Sequence, residues 1–285
     1  MSSGRRTLPP SGALRDGAGR PAAGRRERGE GGGANAMQMI ELRNYRLRDG
    51  ATGDFIRYFE EHFLVSQREE GMHVLGQFAV VGEPDRFVWI RGFADMGARL
   101  RGLSGFYEGP FWQARRTEAN AMMRDSDHVH LLRPLGPSAA LTGGLSLEDR
   151  ASEPPGAVPS HTGLVAVDFY RAAPGALDRL VERFDQHVRP ALFAEGHRVL
   201  GHFVAELTPN DYPRLPVIQD PDLLLVLSAY RDAERCDALR AGWPDGDPWR
   251  AALQGELQGL VADASTIRLR PTARSLIRYE GSGPA

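Results

Sequence analysis

His62 and His187 are the residues of this sequence whose type and placement come nearest to chemistry. Each follows a phenylalanine by three positions, Phe59 or Phe184, on what reads as the apolar stripe of a helix. An imidazole held there could act as a general base near neutral pH, or as a haem ligand. The plainer reading is a core histidine that bonds a neighbouring strand or caps the helix end. A second group lies on strand-like stretches: Glu41, Arg43, Tyr45, Gln77, Arg91, Asp168, Tyr170 and His202. Alternation along a strand could aim these side chains at the carbonyl or hydroxyl of a bound molecule. Structural ion pairs, such as Arg43 with Asp168, are the competing reading.

Other chemistry finds less support. His128 and His130 stand two apart at the start of a strand and share a face, but no third ligand accompanies them, so no metal is expected. Cys236 has no evident base, and a nucleophilic role is not expected. Trp112 and Trp249 follow proline-containing turns and read as packing residues of a second helix. The glycine runs 31–33 and 143–144 lie in low-complexity sequence rather than between a strand and a helix, so they do not form a phosphate loop.

A chain of 285 residues with 41% hydrophobic content can bury a full core without staples. One cysteine excludes an internal disulfide framework, which makes a reducing cytoplasm the expected compartment. The net charge of −2 offers no field for nucleic acid, and no apolar run reaches the length of a membrane helix, so neither partner is expected. Every basic side chain is arginine, in tail and core alike, and no mechanism is read from that bias.

Residues 1–37 are rich in Gly, Arg, Ala and Pro and read as a disordered tail. Residues 136–162 read as a Pro/Gly/Ser-rich linker, and 273–285 as a C-terminal tail. The segments 38–135 and 163–272 are copies of one another. Tyr45 aligns with Tyr170, Phe59 with Phe184 and His62 with His187, while Gly71 to Phe78 matches Gly196 to Phe203. Further on, Asp95 aligns with Asp232, Trp112 with Trp249, and Arg133-Pro134 with Arg270-Pro271. A single insertion near 207–220, in a proline-rich hairpin, accounts for the change of offset.

Each copy reads as strand, helix, strand, strand, helix, strand. Phe55, Ile56, Phe59 and Phe63 recur at helical spacing, as do Leu180, Val181, Phe184 and Val188, with Gly71 and Gly196 as stops. The order βαββαβ is the ferredoxin-like unit, an α+β arrangement in which helices cover one sheet face. On the first strands Ile40, Leu42 and Asn44, with Val165, Val167 and Phe169, are expected to be the helix-covered face. Glu41, Arg43, Tyr45, Ala166, Asp168 and Tyr170 are then expected to line a lumen between two facing sheets of about eight strands.

The run Ile40 to Gly50, Glu60-Glu61-His62, the strand entry G-M-H-V-L-G, Pro110-Phe111-Trp112 and Leu131 to Pro134 together resemble a NIPSNAP domain. The second copy is similar through Pro174-Gly175, Gln186-His187, Gly196 to Gly201, Asp247-Pro248-Trp249 and Leu269-Arg270-Pro271. The resemblance spans 39–135 and 164–271 and implies a dimeric α/β barrel, here closed within one chain as a pseudo-dimer. Fold relatives include cofactor-independent monooxygenases, EthD-like enzymes and haem-binding barrels. The expected function is cofactor-free binding of a small, largely apolar organic molecule in the lumen. Tyr45, Tyr170, Arg43 and His62 or His187 would hold its polar end. A cofactor-independent monooxygenase and a non-catalytic module with a filled barrel are the alternatives, and a homodimer of the fused chain is the remaining partner considered.

Overall fold

The computed structural model describes residues 37–136, 141–142, 145–241 and 259–279. The N-terminal tail expected over 1–37, apart from Met37, and the second helix expected around Trp249 lie outside them. In the first repeat β1 (Met39–Leu47), β2 (His73–Val80), β3 (Glu83–Phe93) and β4 (Met123–Pro134) alternate with α1 (Thr52–Glu69), α2 (Met96–Glu108) and α3 (Pro110–Met122). The second has β5 (Leu164–Ala172), β6 (Arg198–Ala205), β7 (Leu223–Tyr230) and β8 (Val261–Pro271), with α4 (Leu177–Arg183), α5 (Arg189–Ala194) and α6 (Ala233–Arg240).

The two ferredoxin-like sheets close into one antiparallel barrel of order β1-β3-β2-β8-β5-β7-β6-β4. Two short seams join the repeats. At one, Phe78 to Val80 pair with Leu269 to Pro271; at the other, Leu132 to Pro134 pair with Phe203 to Ala205. Among the described residues, no helix is long and apolar enough to cross a membrane.

Strand parity is the reverse of the expectation. Ile40, Leu42, Val165 and Val167 point into the barrel, where they pack with Phe78, Val88, Ile90, Leu132, Phe203, Leu225, Leu227 and Leu269. Tyr45 packs instead beneath α1 with Phe55, Phe59 and Trp89, and Tyr170 beneath α4 with Leu180 and Phe184. An eight-stranded barrel is narrow enough to be filled by side chains, so the aliphatic face belongs inside it. The mixed face goes under the helices, whose aromatic and polar groups can satisfy it.

Local chemistry sets the helix boundaries. Asp95 caps α2 by accepting from Ala98 N at 2.6 Å, and its aligned partner Asp232 caps α6 by accepting from Arg235 N at 2.6 Å. Trp112 ties α3 to its neighbours, with ring centroids 5.6 Å from Phe63 and 5.7 Å from Phe106. In the second repeat the counterpart of α1 is broken: Phe184–Val188 winds as a π turn between α4 and α5. Pro190, aligned with Val65, supplies the cause, because it lacks the N–H that an α-helix would direct to the carbonyl four residues back.

The segment expected as a C-terminal tail is part of the core from Ala273 to Ile277, continuing from Thr272. Thr272 N donates to Gln77 O at 2.9 Å, and the amides of Leu276 and Ile277 both donate to Leu75 O. This occupies the edge of β2 beyond its seam, and Ile277 is fully buried among the barrel residues. Gly76 allows the approach: a Cβ there would meet the Phe78 ring at 2.4 Å and Ile277 Cβ at 3.2 Å. Its counterpart Gly201 receives Leu141 in the same way, 3.1 Å from where a Cβ would stand. Each repeat therefore sends the chain after its last strand into the other repeat.

The insertion of the second repeat also crosses over. Between β6 and β7 the chain lies as a strap on the first repeat, where Ile218 exchanges backbone bonds with Val129 and Leu131, and Tyr212, Leu215 and Val217 join its helix-side core. If the C-terminal segment is structural, Ile277→Ala should lower the unfolding free energy by about 3 kcal/mol. Leu207→Ala, at an exposed position, should stay within about 0.5 kcal/mol of the parent in the same denaturant titration. Equal effects would return the segment to a loose tail.

Candidate functional site

Beneath the helices of the first repeat, one buried carboxylate is surrounded by three buried guanidiniums. Glu41 Oε2 accepts from Arg43 Nη1 and Arg91 Nε, each at 2.8 Å, and Glu41 Oε1 accepts from Arg99 Nε at 2.8 Å. The arginines are satisfied outward in turn. Arg43 Nε donates to the Tyr45 hydroxyl at 2.9 Å and Arg91 Nη1 to Gln67 Oε1 at 2.9 Å. Arg99 Nη1 donates to Asp211 Oδ1 at 2.8 Å and Asn210 Oδ1 at 3.1 Å, both on the strap. The Arg91 guanidinium lies 5.1 Å from the Trp89 ring and 5.4 Å from Phe93. Burial alone would keep Glu41 protonated, but Arg91, Arg43 and Arg99 outweigh it and hold the carboxyl far below its ordinary range. Burial raises the Tyr45 phenol, so it stays protonated.

The second repeat does not repeat this cluster. Ala166, Ser228 and Cys236 stand where the first has Glu41, Arg91 and Arg99. Asp168 is held within its own repeat: Arg240 Nη2 donates to Oδ2 at 2.8 Å, Arg240 Nη1 to Oδ1 at 3.0 Å, and Thr266 Oγ1 to Oδ1 at 2.6 Å. The expected bridge from Arg43 to Asp168 does not form, because the barrel wall separates the two helix-side layers. Burial pushes the neighbouring Tyr230 phenol up to about 12, and burial with Arg240 brings His197 down to about 4.

A cleft of about 330 Å³ opens at the β4–β6 seam. Its apolar wall is Leu135, Leu141, Val199, Leu200 and Phe203, and its polar side is His202, Asp185 and Arg189. His202 Nε2 lies 3.2 Å from Asp185 Oδ1, and Arg189 Nε lies 3.0 Å from the same oxygen. The π turn places Asp185 over β6, and the Phe184 ring stands 5.0 Å from that of His202. Burial lowers the His202 pKa while Asp185 opposes the shift, so at neutral pH the ring is uncharged. With the Nε2 proton donated to Asp185, Nδ1 is left as an acceptor.

The expected site residues thus divide among several places. Glu41, Arg43, Tyr45 and Arg91 meet in one cluster, Asp168 joins Arg240, and His202 faces the seam cleft. Tyr170 packs in the second helix-side core. Gln77 sits opposite Trp89 in the β2–β3 register. The expected catalytic pair does not share a cavity: His62 is half-buried against Tyr58, ring centroids 4.5 Å apart, and His187 is exposed, 3.3 Å from Arg183. Both lie on outer helix surfaces rather than the buried stripe. The rings of His128 and His130 stand 5.1 Å apart, and burial with His128 brings His130 down to about 4. Arg99, Gln67, Asp211, Asp185 and Arg189 escaped the sequence reading, although an arginine on the buried side of α2 and an acid within the insertion were visible signals.

Residues 40–138 match the family model NIPSNAP. The matched stretch is the first repeat, which is similar to a NIPSNAP domain. Among solved structures, the fold of the whole chain is similar to a "putative monooxygenase" from Lactobacillus acidophilus NCFM, with a TM-score of 0.53 and 12% identity, over 82% of this chain and 94% of that one. A second "putative monooxygenase", from Fusobacterium nucleatum, gives a TM-score of 0.54 at 8% identity, over 83% of this chain and 93% of that one. A NIPSNAP family protein from Agrobacterium tumefaciens is 21% identical and covers 35% of this chain and 87% of its own, with a TM-score of 0.32. No curated protein matches the sequence. At these identities the likeness is one of fold: tandem ferredoxin-like repeats in a dimeric α/β barrel.

Ionised Glu41 is the central anion of the first repeat's cluster. Glu41→Gln leaves three buried arginines without their central anion, and chemical denaturation at pH 7 should show a loss of about 3 kcal/mol or more. Because the folded-state pKa is depressed, the contribution is complete above the ordinary value of 4.5 and declines as pH falls below it. The gap between parent and variant should therefore narrow on acidification from pH 5 downward. A gap independent of pH would contradict an ionised Glu41.

Proposed function

We propose that the chain binds a small, largely apolar organic molecule with one acidic or hydrogen-bonding group at the β4–β6 seam, between its two repeats. The observation that carries this reading is the cleft of about 330 Å³, in which an aliphatic wall faces an uncharged histidine and an arginine. That volume suits a small ligand, and a few convergent polar groups on an apolar wall are what fixes a ligand's orientation. The barrel lumen is a poorer host, because Ile40, Leu42, Phe78, Val167, Phe203 and Ile277 already occupy it. In this reading Leu135, Leu141, Leu200 and Phe203 take the ligand's body, and Arg189 with His202 its polar end. No cofactor enters.

A catalytic reading is favoured by one feature, the His202–Asp185 pair. Asp185 holds Nε2–H, so Nδ1 can accept a proton from an acidic C–H or O–H of the ligand, as a cofactor-independent monooxygenase requires before its substrate meets oxygen. The two neighbours called monooxygenases agree with this in fold.

Native mass spectrometry of the purified full chain, followed by solvent extraction, should recover a co-purifying organic molecule. The fluorescent acid 8-anilinonaphthalene-1-sulfonate should compete with it and bind in a one-to-one ratio. Val199→Trp, which fills the cleft from a half-buried position, should weaken that probe by about tenfold. A chain that carries no molecule and binds the probe equally well with tryptophan at 199 would defeat the proposal. Oxygen consumption dependent on His202 with the extracted molecule would separate the catalytic reading from simple binding.

A further inference from the structure

The polar cluster of the first repeat holds more positive charge than it neutralises. Arg43, Arg91 and Arg99 are at most 2% exposed, and an arginine stays protonated at every accessible pH. The carboxylates paired with them are Glu41, fully buried, and Asp211, whose side chain is 26% exposed. Among the described residues, three positive charges against two negative ones leave one buried guanidinium charge without a paired carboxylate. A buried charge without its counter-ion is among the most costly arrangements a fold can keep.

The donors tell the same story atom by atom. Arg99 Nη2 and Trp89 Nε1 are buried and have no hydrogen-bond partner among the described residues. Arg91 Nη2 touches Glu41 Oε2 at 2.7 Å but is not aligned to donate to it. Each such donor has given up its water without a replacement partner. The packing around them is otherwise well satisfied, with Arg91 stacked near Trp89, Phe93 and Tyr107.

Asp211 reaches this cluster from the strap, the insertion that the second repeat has and the first lacks. Its neighbour Tyr212 is buried in the aromatic layer, and Ile218 exchanges backbone bonds with Val129 and Leu131, so the strap stays anchored without the aspartate. Arg99 is fully buried whereas Asp211 is a quarter exposed, so the way from solvent to Arg99 runs through the position of that carboxylate.

We propose that Arg99 and its neighbours form a carboxylate site of the first repeat, and that the strap's Asp211 is a tethered occupant which a small free carboxylate displaces. The planar fork of Arg99 meets a carboxylate edge with Nη1, now used by Asp211, and Nη2, now unused. A free acid can turn to take both, which a side chain fixed to the strap does not. The aromatic walls favour an acid with a flat apolar body.

Thermal melting and calorimetry of the full chain with benzoate, and with benzamide as its uncharged counterpart, test this. Asp211→Ala removes the tethered carboxylate from Arg99 and leaves the three buried arginines and Glu41 unsubstituted. Benzoate should raise the melting temperature of that variant saturably and bind it about tenfold more tightly than the parent, because it no longer competes with the tethered acid. Benzamide should bind neither. Arg214→Gln, which removes a strap arginine outside the cluster, should leave the benzoate affinity unchanged. Equal benzoate affinity in parent and Asp211→Ala, no binding to Asp211→Ala, or a loss with Arg214→Gln would each overturn the proposal.

Discussion

The structure rests on closure of the barrel through its two seams, each of only three residue pairs. Once two four-stranded sheets share both edges, every strand must give one face to a narrow interior, and bulky aliphatic side chains fit that space. The alternate face then lies under helices. Charged residues placed there cannot reach water and must find partners within the layer, which is why Glu41 sits among arginines and Asp168 beside Arg240. The polar chemistry of this chain is thus a consequence of strand parity under closure, and it is found outside the lumen rather than within it.

The two repeats have used that layer differently. The first repeat concentrates four ionised side chains beneath α1 and α2, while the second repeat sets small residues at three of the aligned positions and keeps one Asp–Arg pair. The compensating changes are long-range. Pro190 breaks the second repeat's first helix and turns Asp185 toward β6, and the insertion before β7 leaves its own repeat to cover the other's cluster. Each repeat has become the place where a different part of the chain is put to use, and the internal symmetry is one of backbone alone.

Much of the backbone was legible. The strand and helix order read from each copy is the order found, and the aspartates that align at 95 and 232 prove to cap helices. Met123 to Asp127 was missed as strand because Arg124, Asp125 and Asp127 are exposed and charged, so no alternation marked the segment. The faces of β1 and β5 were assigned the wrong way round for a physical reason: the more apolar face was given to the helices, whereas closure assigns it to the barrel. Of the eight side chains read as lining a lumen, Glu41, Arg43, Tyr45 and Arg91 do meet, but outside it, since residues on one face of paired strands stay together whichever way that face points. What periodicity could not show was Arg99 and Asp211, which reach the cluster from elements distant in sequence, or the break at 184–188 that brings Asp185 to His202.

The crossed tails carry a consequence for the chain as it is made. When Pro134 leaves the ribosome, the edges of β2 and β4 have no partner, and the glycine notch at 76 stays open until Ile277 has been synthesised. At ordinary rates of translation that interval is on the order of ten seconds. For that time the nascent first half presents two bare strand edges and an uncovered aliphatic face, the features by which half-made proteins adhere to one another. Joining the copies in one polypeptide secures the right partner, but it also obliges the earlier copy to wait for the later one.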